Sequence, residues 1–150
     1  MSKNTSSNAF RRIDVDQYAE DNYKEEVDND SVAAGPNETD VMALLAQNKQ
    51  AEALKHVLSN APLGSNNQAV RDASFSLVLR VLLSFKTSQI DEAVKQLDNE
   101  TRDILMKYIY RGFEVPSEGS SIQLLVWHEK VFALSGVGSI VRVLTDKKKV

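Results

Sequence analysis

The sequence predicts an all-α body preceded by an acidic N-terminal arm. Composition changes near Gly35-Pro36, because residues 1–36 carry eight acidic and four basic residues with almost no helical periodicity. Residues 37–150 carry 13 acidic and 14 basic residues, and their apolar residues recur at helical spacing. The 150-residue chain has the size of one domain. We therefore expect a flexible acidic arm, 1–36, and one helical body, 37–150.

Seven helices joined by short loops are predicted in the body. The third starts at Asn66 or Asn67 and runs to about Phe85, and its second half is apolar on nearly every side. We expect this helix at the centre, with Leu79 and Leu82 fully enclosed. The fold is predicted to be a compact α-α superhelix-like bundle around this wrapped helix. The other six predicted helices run from Asn37 or Thr39 to a break at Gln47-Asn48, from Lys49 to Leu58, from the N-cap Ser88 to Leu97, from Thr101 to Tyr110 before a terminating Gly112, from Ser120 or Ser121 to Leu134, and from Ile140 to Leu144.

Composition narrows the class of protein. The chain has no cysteine, which excludes a disulfide scaffold and the common zinc sites. Its net charge of −3 does not favour nucleic acid or an anionic membrane as a partner. The N-terminus lacks an apolar signal segment, and the stretch Phe75–Phe85, which we take as the longest apolar one, is too short to span a bilayer. We expect a cytoplasmic protein.

Nothing in the pattern indicates an active site. His56 and His128 have no neighbour at metal-ligand spacing, so both are interpreted as structural or solvated. Gly136-Val-Gly138 follows a predicted helix and not a strand, so it indicates a tight turn before the last helix. No nucleophile lies beside a general base in the pattern. We expect no catalytic residue, no metal and no cofactor.

Two groups of residues are candidates for binding a partner. In the arm, apolar and aromatic residues interrupt an acidic stretch, which favours docking on another surface over a purely solvated tail, although both interpretations remain open. In the body, Tyr108 and Tyr110 lie about 200° apart on a helix, so one can be buried while the other is presented. The arm candidates are Phe10, Arg11, Arg12, Ile13, Val15 and Tyr18, and the body candidates are Tyr110, Phe113 and Trp127.

Several stretches along the whole chain closely resemble the smallest, sixteen-kilodalton subunit (subunit five) of the actin-related protein 2/3 complex. They are Met1–Thr5, Phe10–Asp16, Leu105–Phe113, Trp127–Lys130 and Gly136–Thr145. The resemblance implies a superhelix-like helical body in a seven-subunit assembly that nucleates a new actin filament on the side of an existing one. It also implies a subunit without enzymatic activity of its own, since ATP belongs to the two actin-related subunits.

The resemblance implies specific partners as well. The body is expected to dock on the twenty-kilodalton subunit near the WD-repeat propeller subunit, and the arm is expected to tether the actin-related protein two subunit. Contact with actin filaments would occur through the assembly, in actin-rich cell projections. The alternative is a free helical-repeat adaptor that binds peptide motifs in a groove. Co-purification in a fixed stoichiometric assembly would separate the two functions.

Overall fold

Six α-helices make up the regular structure in the computed structural model, which describes residues 35–117 and 119–150. None of these described residues forms a strand, so the predicted all-α class is confirmed. The helices are α1 Glu38–Ala46, α2 Gln50–Ser59, α3 Gln68–Leu83, α4 Thr87–Lys95, α5 Asn99–Glu114 and α6 Ser120–Thr145.

Polar side chains begin three of the helices. The Asn37 side chain accepts a hydrogen bond from the amide two residues on at 3.1 Å, and Asn67 does the same for α3 at 3.0 Å. The Asp98 carboxylate accepts from the amide three residues on at 2.8 Å. Each bond satisfies an N–H that has no partner inside the helix. The predicted starts of α1 and α3 are therefore confirmed, with Asn37 and Asn67 as the caps.

The predicted N-cap at Ser88 is wrong. Helix α4 begins at Thr87, and Lys86 occupies the N-cap position. The Lys86 N–H donates to Gln89 Oε1 at 3.2 Å, so a side chain inside the first turn reaches back to the cap.

The predicted end of the fifth helix at Gly112 is also wrong, because α5 continues to Glu114. Gly112 is buried where α5 meets α6. A Cβ placed on it would lie 2.6 Å from Leu124 Cδ1, which is closer than real Cβ contacts. The glycine therefore permits close approach of two helices and does not end one.

The last two predicted helices form a single element, α6, which bends at Gly136. Gly136 has φ 64° and ψ −166°, a conformation that is essentially restricted to glycine. The predicted interruption at this glycine is therefore present, but it is one residue of non-helical backbone inside a 26-residue element.

Helices α5 and α6 share the most extensive contact between any two helices of the body and form the main part of the core. Helix α4 packs on α6, and α2 contacts α1, α3 and α5. Trp127 is fully buried at the centre, where its Nε1–H donates to the Leu82 carbonyl at 3.3 Å and its ring meets the edge of Phe85 at 5.1 Å. Tyr108 is also buried, and its hydroxyl hydrogen-bonds Ser74 at 2.8 Å. Burial raises the Tyr108 pKa, and the Ser74 hydrogen bond partly offsets this.

Helix α3 packs against α2, α5 and α6. Leu82 is 1% exposed, as the sequence predicts. Leu79 is only partly buried and Leu83 is 43% exposed, so the predicted enclosure of Leu79 is wrong. Because the second half of α3 is apolar all round, its sequence does not distinguish its buried face from its exposed face.

The described residues belong to one compact unit. The arm candidates Phe10 to Tyr18 lie outside the described residues. The division into an arm, 1–36, and a body, 37–150, stays a prediction.

Candidate interaction surface

The three body candidates lie in two different environments. Tyr110 and Phe113 are half-buried on α5 and retain exposed ring surface. Trp127 is 0% exposed and fills the core, so the expectation that its ring contacts a partner is wrong for the folded body. A tryptophan can bury a large apolar area and still use its N–H when a backbone carbonyl is within reach, as Leu82 provides here.

Tyr110 and Phe113 belong to an aromatic cluster that also contains His128 and Phe132 from α6. The Tyr110 and Phe113 rings lie 6.0 Å apart and nearly perpendicular. His128 lies 5.6 Å from Tyr110 and 6.1 Å from Phe113, and it stacks on Phe132 at 6.2 Å. Phe132 is 38% exposed. The four rings form one surface that spans α5 and α6.

Helix α6 extends this surface with a row of exposed apolar side chains. Ile122 is 77% exposed and Leu125 is 60% exposed. With Phe132 they occupy one helix face, since residues three, four and seven apart lie above one another. We call Ile122, Leu125 and Phe132 the α6 apolar row. Large apolar side chains grouped in this way on a surface are typical of a protein contact site.

Beyond the bend at Gly136, α6 presents a second exposed apolar group. Val137, Val141 and Leu144 are 63%, 50% and 73% exposed and again lie at helical spacing. The Ser139 Oγ donates to the Gly136 carbonyl at 2.8 Å and supplies a donor at the bend. The exposed apolar surface of α6 is thus divided between two helical segments of different direction.

Charged contacts hold the second segment of α6 and the residues after it against α5. Arg142 donates twice to the Asp103 carboxylate, at 2.6 and 2.8 Å. Lys107 Nζ lies 2.5 Å from Asp146 Oδ2 and 2.9 Å from the Lys148 carbonyl. The hydrogen bond from Lys107 holds the pKa of Asp146 below its ordinary value. The second segment of α6 is therefore held to α5 by polar contacts, and its apolar side chains remain exposed.

By length and composition, α6 could cross a membrane. Core helices of soluble proteins can have the same length and composition. Leu124, Trp127 and Val131 are fully buried against other helices of the body. Glu129 and Lys130 lie near the middle of the helix, where charges are costly in a bilayer. We interpret the exposed face as one that contacts protein.

Catalytic geometry is not found at this surface. No group of three or more His, Asp or Glu side chains that could hold a metal occurs among the described residues. His128 lies among aromatic rings, and His56 is half-buried on α2. The arrangement can exclude water and bind an apolar partner surface.

Similarities to known proteins identify the family of the chain. A family model described as the ARP2/3 complex 16 kDa subunit (p16-Arc) matches residues 9–150. The chain belongs to this family. It is 48% identical over 150 residues to actin-related protein 2/3 complex subunit 5-C of Xenopus laevis, with full coverage of both chains. It is 46% identical over 153 residues to the subunit 5-like protein of Homo sapiens, again with full coverage of both.

The chain is also similar to a more distant relative. The probable actin-related protein 2/3 complex subunit 5 of Caenorhabditis elegans is 35% identical over 141 residues, which is 93% of this chain and 96% of that one. The family membership that the sequence stretches indicate is therefore confirmed.

The sequence interpretation missed Ile122, Leu125 and Phe132 in this p16-Arc chain. A signal was present, because the helix that holds them is apolar on more sides than one buried face requires.

Proposed function

We infer that membership of the p16-Arc family makes the chain a subunit of the ARP2/3 complex, in the actin cytoskeleton of the cytoplasm. We propose that it is a non-catalytic structural subunit whose body docks on other subunits through the aromatic cluster and the α6 apolar row. The observation that carries this proposal is the row of large apolar side chains left exposed on α6. The proposed neighbours of the body are the twenty-kilodalton subunit and the WD-repeat propeller subunit.

The exposed fractions indicate how much the docking contact can contribute. Full burial of one aliphatic side chain contributes about 1.5–3 kcal/mol. Ile122 and Leu125 are 77% and 60% exposed, so covering both would contribute roughly 2–4 kcal/mol before the costs of association. Aromatic side chains beside them suit the centre of such a contact, where they combine a large apolar area with few rotatable bonds.

Substitution of Leu125 tests the docking surface. In the full chain co-expressed with the other subunits, Leu125→Asp should strongly reduce recovery of the chain in the purified complex, because an unpaired carboxylate would be buried. The matched control is Leu83→Asp on α3, a leucine that is 43% exposed outside the surface. Circular dichroism verifies that both variants fold. Recovery of Leu125→Asp at normal stoichiometry would contradict this docking surface.

We propose further that the arm tethers the actin-related protein two subunit and so supports nucleation of branched filaments in actin-rich cell projections. A fully extended 36-residue arm spans up to ~120 Å, so reach is no obstacle. Binding through an arm whose body is already docked is effectively intramolecular, so weak contacts can be well populated.

The arm contacts are proposed to be mainly apolar, through Phe10, Ile13, Val15 and Tyr18, with Arg11 and Arg12 adding a salt-dependent contribution. Exposed ion pairs typically contribute about 0–1 kcal/mol, whereas one buried apolar side chain contributes about 1.5–3 kcal/mol.

We therefore expect Phe10→Ala with Ile13→Ala to weaken retention of the actin-related protein two subunit, and to slow branching, more than neutralising the acidic residues of the arm. Retention and actin polymerisation are measured on the assembled complex at low and high salt. A larger loss in the acidic variant would show that electrostatics hold the arm. The acidic residues to neutralise together are Glu25, Glu26 and Asp28.

A further inference from the structure

A cleft of about 550 Å³ opens between α3, α5, the end of α6 and the residues that follow it. Among the described residues, five basic side chains line it against two acidic ones. The remainder of the body does not share this excess, since residues 37–150 together carry 14 basic and 13 acidic residues. The basic lining residues are Arg71, Lys107, Arg111, Lys148 and Lys149, and the acidic ones are Glu114 and Asp146.

The two innermost cations are already satisfied. Lys107, with a side chain 10% exposed, contacts Asp146 and the Lys148 carbonyl. Arg111, 13% exposed, contacts Asp72 and donates to the main-chain oxygen of Val150 at 2.6 Å. These bonds fix the last residues of the chain against α5. They shape the cleft and leave its outer cations to meet a ligand.

The outer cations are less completely paired. The Arg71 guanidinium contacts Gln68, and its Nε–H, which has no acceptor among the described residues, is buried and lies out of reach of a ligand. The Lys149 side chain is exposed, and no hydrogen bond or ion pair of its ammonium group is found within the part of the chain that the structure describes. A carboxylate that entered the cleft would meet the Lys149 ammonium group without displacing an internal ion pair.

The cleft adjoins the aromatic cluster. Tyr110 lines the cleft with Val143 and Leu144, and the same Tyr110 ring contacts Phe113 and His128. A chain that lies on the cluster can therefore continue into the cleft without leaving the surface. The apolar lining residues Tyr110, Val143 and Leu144, together with the basic lining residues, suit a peptide with acidic side chains better than a bare anion.

We propose that this cleft binds an acidic peptide segment of the subunit that docks on the aromatic cluster. For the identity of the partner, the inference rests on the proposed docking function. For the acidic character of the bound peptide, it rests on the basic residues of the cleft and on the contact between the cleft and the aromatic cluster. Charge complementarity beside an apolar contact fixes the orientation of two surfaces more than it adds to their affinity.

A peptide probe tests the chemistry of the cleft on the purified full chain, without any other subunit. Fluorescence anisotropy with a labelled hexaglutamate should show binding that weakens as salt is raised. Lys149→Glu should raise the dissociation constant at least about threefold, because it replaces an attraction with a repulsion. The control Lys55→Glu makes the same charge change at an exposed lysine of α2 and should have a smaller effect. Equal effects of the two substitutions, or competition by inorganic phosphate at the same concentration as the peptide, would overturn the assignment.

Zero-length carbodiimide cross-linking of the intact complex tests the occupant, because it joins a lysine amine only to a carboxylate in direct contact. We expect Lys149 to be linked to an Asp or Glu of another subunit, and Lys55 not to be linked to that segment. Links from Lys149 only to this chain's own carboxylates would overturn the inference. Leu125→Asp separates the two proposals, since it should block docking while the isolated chain still binds hexaglutamate.

Discussion

Gly112→Ala should destabilise the body, although alanine is the better helix former. The added Cβ would lie 2.6 Å from Leu124 Cδ1, and Leu124 is 0% exposed, so its side chain has little room to move. Overpacking a core typically costs about 1–3 kcal/mol, whereas Gly→Ala in a helix gains about 0.8–1 kcal/mol. We therefore expect a net loss of roughly 0–2 kcal/mol in the free energy of unfolding, measured by urea denaturation of the full chain.

A double-mutant cycle separates these two contributions. In a Leu124→Ala background the clashing atoms are absent, so Gly112→Ala should become stabilising by about 1 kcal/mol. Leu124→Ala alone is expected to cost about 2–5 kcal/mol.

Gly138→Ala is the control, because its new Cβ would meet no buried side chain, and its nearest neighbour is Nη1 of the half-exposed Arg142 at 3.0 Å, which makes neither bond to Asp103. It should be neutral or slightly stabilising. If Gly112→Ala raised stability equally in both backgrounds, the close approach of α5 and α6 would not be the reason for this glycine.

Two further outcomes follow from burial and from charge. Leu82→Ala should cost about 2–5 kcal/mol of unfolding free energy, and Leu79→Ala should cost less, because Leu82 is 1% exposed and Leu79 is only partly buried. Equal losses of the two variants in urea denaturation would contradict this packing of α3. Asp146 has a pKa lowered by its hydrogen bond from Lys107, so its contribution to stability is present above the ordinary aspartate pKa of about 3.9 and is lost as the pH falls through the lowered value. Asp146→Asn should therefore reduce stability near neutral pH but not in strong acid; a stability difference that is unchanged across this range would refute the role of the ion pair.

The interaction surface shows where sequence reasoning reaches its limit. The spacing of Tyr108 and Tyr110 is enough to place them on opposite sides of α5, and the structure buries the first and half-exposes the second. The same reasoning fails for Trp127. Its helix carries one apolar row through Leu124 and another through Leu125, and either could face the core.

The sequence by itself determines the all-α class and the family, and it narrows the starts of α1 and α3 to two residues each, because capping side chains and helical periodicity act within a few residues. The tertiary structure decides which apolar face is buried, since that depends on how α4 and α5 pack on α6. It also decides the roles of two glycines that look alike in the sequence. Gly112 lies inside α5, where Leu124 packs too closely to leave room for a Cβ, whereas Gly136 bends α6 by adopting a positive φ. Contacts between residues distant in the chain separate these cases, and local pattern does not contain them.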